Sequence, residues 1–208
     1  MTIEILPNTK RFVGEIKDNK RHGVLEQYDE NANLKAIQSF EKGVLHGESA
    51  RFESPGLLKE KMQYHEGVPH GPAEFHKRGT PLLATYFHHG KQHGEATLFD
   101  EAGLVRAKVN YVQGAKHGPS TSYDALGRVK RVVHYDQGLL HGPTISYYPN
   151  GTLLETGMYV AGKRHGEFKS YYENGVVRLL LVYDRGRLVR GPQHFDAAGN
   201  PTAIGIER

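Results

Sequence analysis

Residues 162–177 read GKRHGEFKSYYENGVV, and the His-Gly pair inside this stretch is one of seven that recur at a near-constant step along the chain. The pairs are His22-Gly23, His46-Gly47, His70-Gly71, His93-Gly94, His117-Gly118, His141-Gly142 and His165-Gly166, at steps of 24, 24, 23, 24, 24 and 24 residues. Self-similarity at a fixed period of this size marks a repeat array, in which each unit is one supersecondary element stacked on the next.

Aligning the copies on His-Gly exposes three more fixed positions. Seven residues before each Gly stands Phe40, Tyr64, Phe87, Tyr111, Tyr135, Tyr159 or Tyr183, with Ile16 in the first copy. Three residues after that ring comes Gly43, Gly67, Gly90, Gly114, Gly138, Gly162 or Gly186, with Asn19 in the first copy, residue types that tolerate positive φ and so mark a turn. About five residues past His-Gly lies a second ring (Tyr28, Phe52, Phe99, Tyr123, Tyr147, Tyr171), followed by a second glycine turn at Gly56, Gly79, Gly103, Gly127, Gly151, Gly175 and Gly199. Phe75 and Phe195 come one residue early, and the last copy carries Arg190-Gly191 in place of His-Gly.

Between turns the residues alternate. Val105, Ala107, Val109 and Tyr111 share one parity, as do Val129, Arg131, Val133 and Tyr135, and Val177, Leu179, Leu181 and Tyr183. Lys35, Lys59, Lys61, Arg106, Lys108, Lys130 and Arg178 take the other. Period-two alternation predicts strands with one apolar and one wet face. The expected fold is all-β: an elongated, twisted antiparallel meander in a single sheet, built from about eight 24-residue β-hairpin repeats and about 16 strands. The copies fall near residues 12–35, 36–59, 60–82, 83–106, 107–130, 131–154, 155–178 and 179–202 of one repeat domain spanning 1–208, with the first and last as caps.

Composition agrees with many short strands. The chain has 208 residues, 38% of them apolar, and 25 glycines. It has no cysteine, which excludes disulfides, thiolate metal sites and a cysteine nucleophile. No basic start leads into an apolar run at the N-terminus, and no segment approaches eighteen apolar residues, so a cytoplasmic protein without an integral membrane segment is expected. The net charge of +4 is too small to indicate nucleic-acid binding.

The string Tyr-x-x-Gly-x-x-His-Gly, followed by an aromatic, a short turn and Gly, resembles the MORN repeat and, more closely, its bacterial variant, from about Phe12 to about Phe195. The resemblance implies an antitoxin of the YwqK family or an immunity-type protein, whose partner is a cognate protein toxin or effector. The eukaryotic form of the repeat implies a second role, a structural or membrane-associated scaffold binding anionic lipid or partner proteins.

The candidate partner-binding residues are the rings Phe40, Tyr64, Phe87, Tyr111, Tyr135, Tyr147, Tyr159, Tyr171 and Tyr183, expected along one face. Aromatic side chains carry much of the energy of protein interfaces. Lys59, Lys61, Arg106, Lys108 and Lys130 are the candidate basic face. With rings and charges expected on opposite faces, a single-stranded nucleic acid could not use both, and no nucleic-acid partner is expected.

Equivalent histidines in successive copies lie two strand spacings apart, roughly 9.5 Å, too far to share a zinc ion bound at about 2.0–2.1 Å. They are therefore assigned to turn packing, and no metal or cofactor is expected. His65 and the pair His88-His89 are extra histidines near the turns. No phosphate-binding loop, nucleophile elbow or HExxH motif occurs, and Asp124, Asp136 and Asp184 lie near turns, where Asp is ordinary; no enzyme activity is expected. Leu179, Leu180, Leu181 and Val182 are apolar on both parities, which predicts cover from the tail, Phe195 to Ile206, or a homodimer through the C-terminal repeat.

Overall fold

The computed structural model describes residues 11–53 and 56–202. The chain divides into two units, one up to Leu104 and one from Val105. The first contains β1 (Arg11–Lys17), β2 (Lys20–Tyr28), β3 (Leu34–Glu41), β4 (Val44–Glu53), β5 (Leu57–His65), β6 (Val68–Lys77), β7 (Thr80–His88), β8 (Lys91–Gln92) and β9 (Gly94–Phe99). The second contains β10 (Val105–Val112), β11 (Ala115–Tyr123), β12 (Val129–Asp136), β13 (Leu139–Tyr147), β14 (Leu153–Val160), β15 (Lys163–Arg164), β16 (Gly166–Tyr171), β17 (Val177–Asp184), β18 (Arg187–Phe195) and β19 (Pro201–Thr202). Within each unit, strands consecutive in the chain pair antiparallel as an open meander, and the described residues contain no helix. The expected all-β repeat of hairpins is what the molecule forms.

Among the described residues nineteen strands replace the sixteen expected, for two local reasons. Two strands of the repeat are broken at the histidine of His-Gly, giving β8 and β9 either side of His93 and β15 and β16 either side of His165. The third addition, β19, pairs with the end of β18.

Each hairpin tip is a two-residue turn with positive φ at both central residues, as in Lys42-Gly43 (49° and 91°) and Gln137-Gly138 (46° and 85°). That is the type I′ geometry, whose twist matches that of the strands it joins, and glycine occupies the second position in all but the first copy. Six of the tips also grip the hairpin before them: the amides of Gly43, Gly67 and Gly90 donate to the carbonyls of Arg21, Leu45 and Pro69. Gly138, Gly162 and Gly186 do the same to Lys116, Leu140 and Arg164.

His-Gly is a β-bulge. Val109 pairs with Ser120 and Tyr111 with Lys116, so Asn110 on β10 faces His117, Gly118 and Pro119 on β11. Gly118 takes φ 78° to absorb the excess, and Asn110 Nδ2 donates to the Pro119 carbonyl at 2.9 Å. A bulge redirects the side chains beside it, and here the redirected side chain is histidine. The opposite ends of the hairpins close differently: Asp124 Oδ1 accepts from the amides of Leu126 and Arg128 at 2.9 and 3.0 Å, an Asx turn. Asp29, Asp100 and Asp196 act alike.

The 23-residue step has its cause in one such turn. In place of the five-residue loop, Lys77 pairs directly with Thr80 across Arg78-Gly79, and both residues of that pair have positive φ. Phe75 pairs with Glu60 and Leu83, on the face of Met62.

Burial follows one line across each sheet, the inner face. In the first unit Leu25, Gln38, Ser49, Met62, Ala73 and Thr85 stand opposite one another strand by strand, and all but Gln38 are buried. In the second the line runs Val109, Ser120, Val133, Thr144, Gly157, Phe168, Leu181. Phe168 is 5% exposed because its ring lies over Gly157: a Cβ there would come within 2.3 Å of Phe168 Cε1. Leu179 to Val182 are half-buried within β17, held between β16 and β18. The part of the tail expected to cover them from residue 203 onward lies outside the described residues.

Candidate functional site

The rings expected on one face divide between two. Phe40, Tyr64 and Phe87 stand opposite Gly23, Gly47 and Gly71 on the inner face of the first unit. Tyr111, Tyr135, Tyr159 and Tyr183 take the inner face of the second. Phe40 is buried and the other six are half-buried. In the second unit Phe168 meets Tyr159 and Tyr183 edge-to-face, with centroids 5.5 and 5.4 Å apart. Arg164 lies 5.1 Å above Phe168 and 5.2 Å above Tyr183, and donates to Tyr183 Oη at 3.0 Å. Its hydrogen bonds to Tyr159 and Tyr183 raise its pKa further. Arg21 over Phe40 and Lys116 over Tyr135 repeat the stacking. These rings pack against their own repeats and against cations of the same array.

Tyr147 and Tyr171 stand on the outer face instead, which corrects the single-face expectation. Tyr171 lies 3.1 Å from Thr156 Oγ1, and Thr156 pairs with Lys169, one step from the buried Gly157–Phe168 position. The spacing is the reason: Gly166, Phe168 and Ser170 stand opposite Tyr183, Leu181 and Leu179, so a ring five residues after the glycine falls on the other face from the first ring.

The outer face is also the basic one, and in the second unit it is concave. Arg106, Tyr123, Lys130, Tyr147 and Tyr148 line a groove there together with Leu154 and Pro149. Arg106 and Lys130 are exposed, while Tyr123, Tyr147 and Tyr148 are half-buried. The Tyr148 hydroxyl donates to the Tyr171 carbonyl at 2.7 Å, which fixes that rim, whereas Arg131 lies on the inner face with Val133 and reaches Thr144 Oγ1 at 3.4 Å. The single carboxylate at the groove, Asp124, is occupied by Arg128 Nε at 2.7 Å and by its own turn amides. Positive charge and aromatic surface thus share a depression. Lys108 is half-buried on the same face.

In the first unit Lys59 is exposed, and Lys61 is half-buried with Nζ 2.9 Å from Glu48; that hydrogen bond raises the Lys61 pKa. Lys61 lies in a smaller depression with Val24, Ile37, Ala50, Phe52 and Leu58.

The histidines redirected by the bulges face the next copy. His117 Nδ1 lies 3.3 Å from Asp136 and His165 Nδ1 3.5 Å from Asp184, in each case the residue that follows the hairpin aromatic. The corresponding residues in the first unit include His65 and His88, so there imidazole meets imidazole. His46 and His65 have ring centroids 5.0 Å apart, and His70 and His88 5.1 Å.

Residues 140–161 and 164–184 match a family model described as MORN repeat variant, which supports a MORN repeat protein. No curated protein matches the chain. A solved structure of TarM from S. aureus, a mutant in complex with Fondaparinux, alpha-GlcNAc-glycerol and UDP, is similar at 16% identity over 79% of this chain and 21% of that one, with a TM-score of 0.22. The chain spans about a fifth of that protein's length, and a likeness of this score carries no argument. No helix of the described residues is long and apolar enough to cross a membrane.

Proposed function

We propose that this repeat scaffold is a non-catalytic binding protein of the antitoxin or immunity type, which acts in the cytoplasm by covering a cognate toxin. The observation that carries the reading is the groove of Arg106, Tyr123, Lys130 and Tyr147, where exposed cations flank half-buried rings. That chemistry suits an acidic protein segment: cations steer it in and set its register, and rings supply the desolvated anchors. Tyr147 and Tyr123 are the anchors; Arg106 and Lys130 are the steering charges. The ladder Tyr159–Phe168–Tyr183 serves to hold the scaffold rigid. A stable complex of standard size buries about 1,600 Å² in total, so occlusion would extend beyond the groove.

The experiment is co-expression of the full chain with the product of an adjacent gene. The expected result is rescue of growth and a co-purifying complex, both lost with Tyr147→Ala and with Lys130→Glu. Absence of both rescue and complex would reject the reading.

A second reading, a scaffold at an anionic lipid surface, draws on the exposed Arg106, Lys130 and Arg178 along the outer face of the second unit. Basic residues near such a surface contribute about 1 kcal/mol each. Sedimentation with phosphatidylserine vesicles at low salt separates the two, since only the lipid reading expects the chain in the pellet. Light scattering of the purified chain tests self-association through the C-terminal repeat.

A further inference from the structure

Along the first unit the histidines form a chain of ring contacts that the carboxylate-paired copies lack: His46 to His65, His65 to His70, His70 to His88 and His89, and His88 to His93. At its centre the centroids of His70, His88 and His89 lie 5.1, 5.0 and 4.4 Å apart. One ring nitrogen of each comes within 4.8 Å of the others. The spacing argument against metal holds for equivalent histidines such as His70 and His93, but His88 and His89 occupy the gap between those two copies.

We propose that His70, His88 and His89 form a three-histidine site for a divalent transition-metal ion, with zinc as its natural occupant. Two further observations point to a ligand. His70 Nδ1 is buried and has no hydrogen-bond partner, an arrangement that is costly unless something else satisfies the atom. His93 Nδ1, on the far side of His88, is in the same condition. The position of His88 is filled by a carboxylate at Asp136 and Asp184, where it pairs with the histidine of the preceding bulge. At His88 that counter-charge is gone.

Imidazole nitrogen suits zinc, copper and nickel. Zinc–nitrogen bonds of about 2.0–2.1 Å at tetrahedral angles place the ligand nitrogens about 3.3 Å apart, so closure from the present separation asks for a shift of at most about 1.5 Å. His89 can supply it, being exposed at the first position of the His89-Gly90 turn. Three protein ligands leave a fourth position for water or for His93.

The test uses the full-length, tag-free chain stripped of metal, with Zn²⁺ followed by calorimetry and Co²⁺ by its visible absorption. One ion per chain with micromolar or tighter affinity is expected, weakened at least tenfold in His88→Val and in His89→Asn, and unchanged in His117→Asn. Val160 fills the position equivalent to His88 in a later copy, so His88→Val has a precedent in the same array. Asn accepts the left-handed backbone that His89 adopts at φ 48°, so His89→Asn gives a folded variant should His88→Val fail. Binding that survives His89→Asn undiminished, that falls equally in His117→Asn, or that is absent in the parent chain overturns the site.

Discussion

Replacing Gly157 with alanine should destabilise the second unit through one contact. Gly157 is a strand residue whose φ lies outside the left-handed region, so the backbone itself tolerates alanine. A strand glycine normally gains roughly 0.5–1 kcal/mol on that change. Here the new Cβ would lie 2.3, 2.4 and 2.7 Å from three carbons of the Phe168 ring, which is wedged between Tyr159 and Tyr183 beneath Arg164. Keeping the ring in place costs about 1–3 kcal/mol of overpacking. Expelling it forfeits about 1.5–3 kcal/mol of burial and about 0.5–1.5 kcal/mol for each edge-to-face pair. The net expectation, overpacking less the backbone gain, is a loss of about 0.5–2 kcal/mol, against a gain if the contact were absent. Urea unfolding followed by far-UV circular dichroism, with amide exchange along β14 and β16 to localise the effect, measures it. Phe168→Ala should abolish the penalty, so the double variant should be no less stable than Phe168→Ala alone. A Gly157→Ala protein as stable as the parent, or two substitutions whose effects simply add, would refute the reasoning.

Gly118→Ala, where a Cβ meets nothing within 4 Å but φ is 78°, should cost about 1–2 kcal/mol from backbone strain alone in the same urea assay. Gly71→Ala, at φ 117°, should cost more, since its Cβ would also lie 3.0 Å from Gln63 Cβ, an atom that a change of rotamer does not move away. Arg164→Met, which keeps the apolar stem, should lose about 0.5–1 kcal/mol of cation–π attraction, read as a lower urea midpoint. The lowered pKa of His88, in contact with His70, His89 and His93, means that its neutral form is favoured by folding. Its stability contribution is therefore full above the ordinary histidine pKa of about 6.5 and is lost as pH falls from there through the lowered folded value. Amide exchange of β6 and β7 at pH 7.5 and pH 5 should show that loss, and His88→Val should flatten it. The side-chain hydrogen bond from Asn200 holds the Asp196 carboxyl below its usual range, so protection of the last turn should fall only in more acidic solution, below about pH 4.

The hairpin repeat was legible because its rules are local. Gly43 and its counterparts need left-handed backbone, Asp124 needs a turn, and the alternation from Val177 to Tyr183 needs only a pleat. What could not be read was anything carried from one strand to the next. Parity counted back from Tyr183 is sound along its own strand, but which residues of the neighbouring strand share that face is a property of the pairing: Gly166, Phe168 and Ser170 stand opposite Tyr183, Leu181 and Leu179, which leaves Tyr171 on the other side. Tyr147 and Tyr171 were misplaced for that reason, and with them the premise that rings and cations occupy opposite faces. The histidine cluster was hidden similarly, since equivalent positions were compared while the non-equivalent His88 and His89 filled the space between them. One signal was present: the residue after the hairpin ring reads Glu41, His65, His88, Val112, Asp136, Val160, Asp184, and its change from carboxylate to imidazole is visible without coordinates.

The amide that Gly43 and its counterparts extend to the preceding hairpin gives growth of the array a natural step. A block of 24 residues added or removed inside a unit leaves the remaining donors with a carbonyl to hold, whereas an odd change within a strand turns the side chains beyond it over. Reach along such a molecule is adjustable in whole hairpins, and the 23-residue copy keeps to that: it takes up its missing residue in the turn at the end away from the tips, and Gly90 still donates to Pro69.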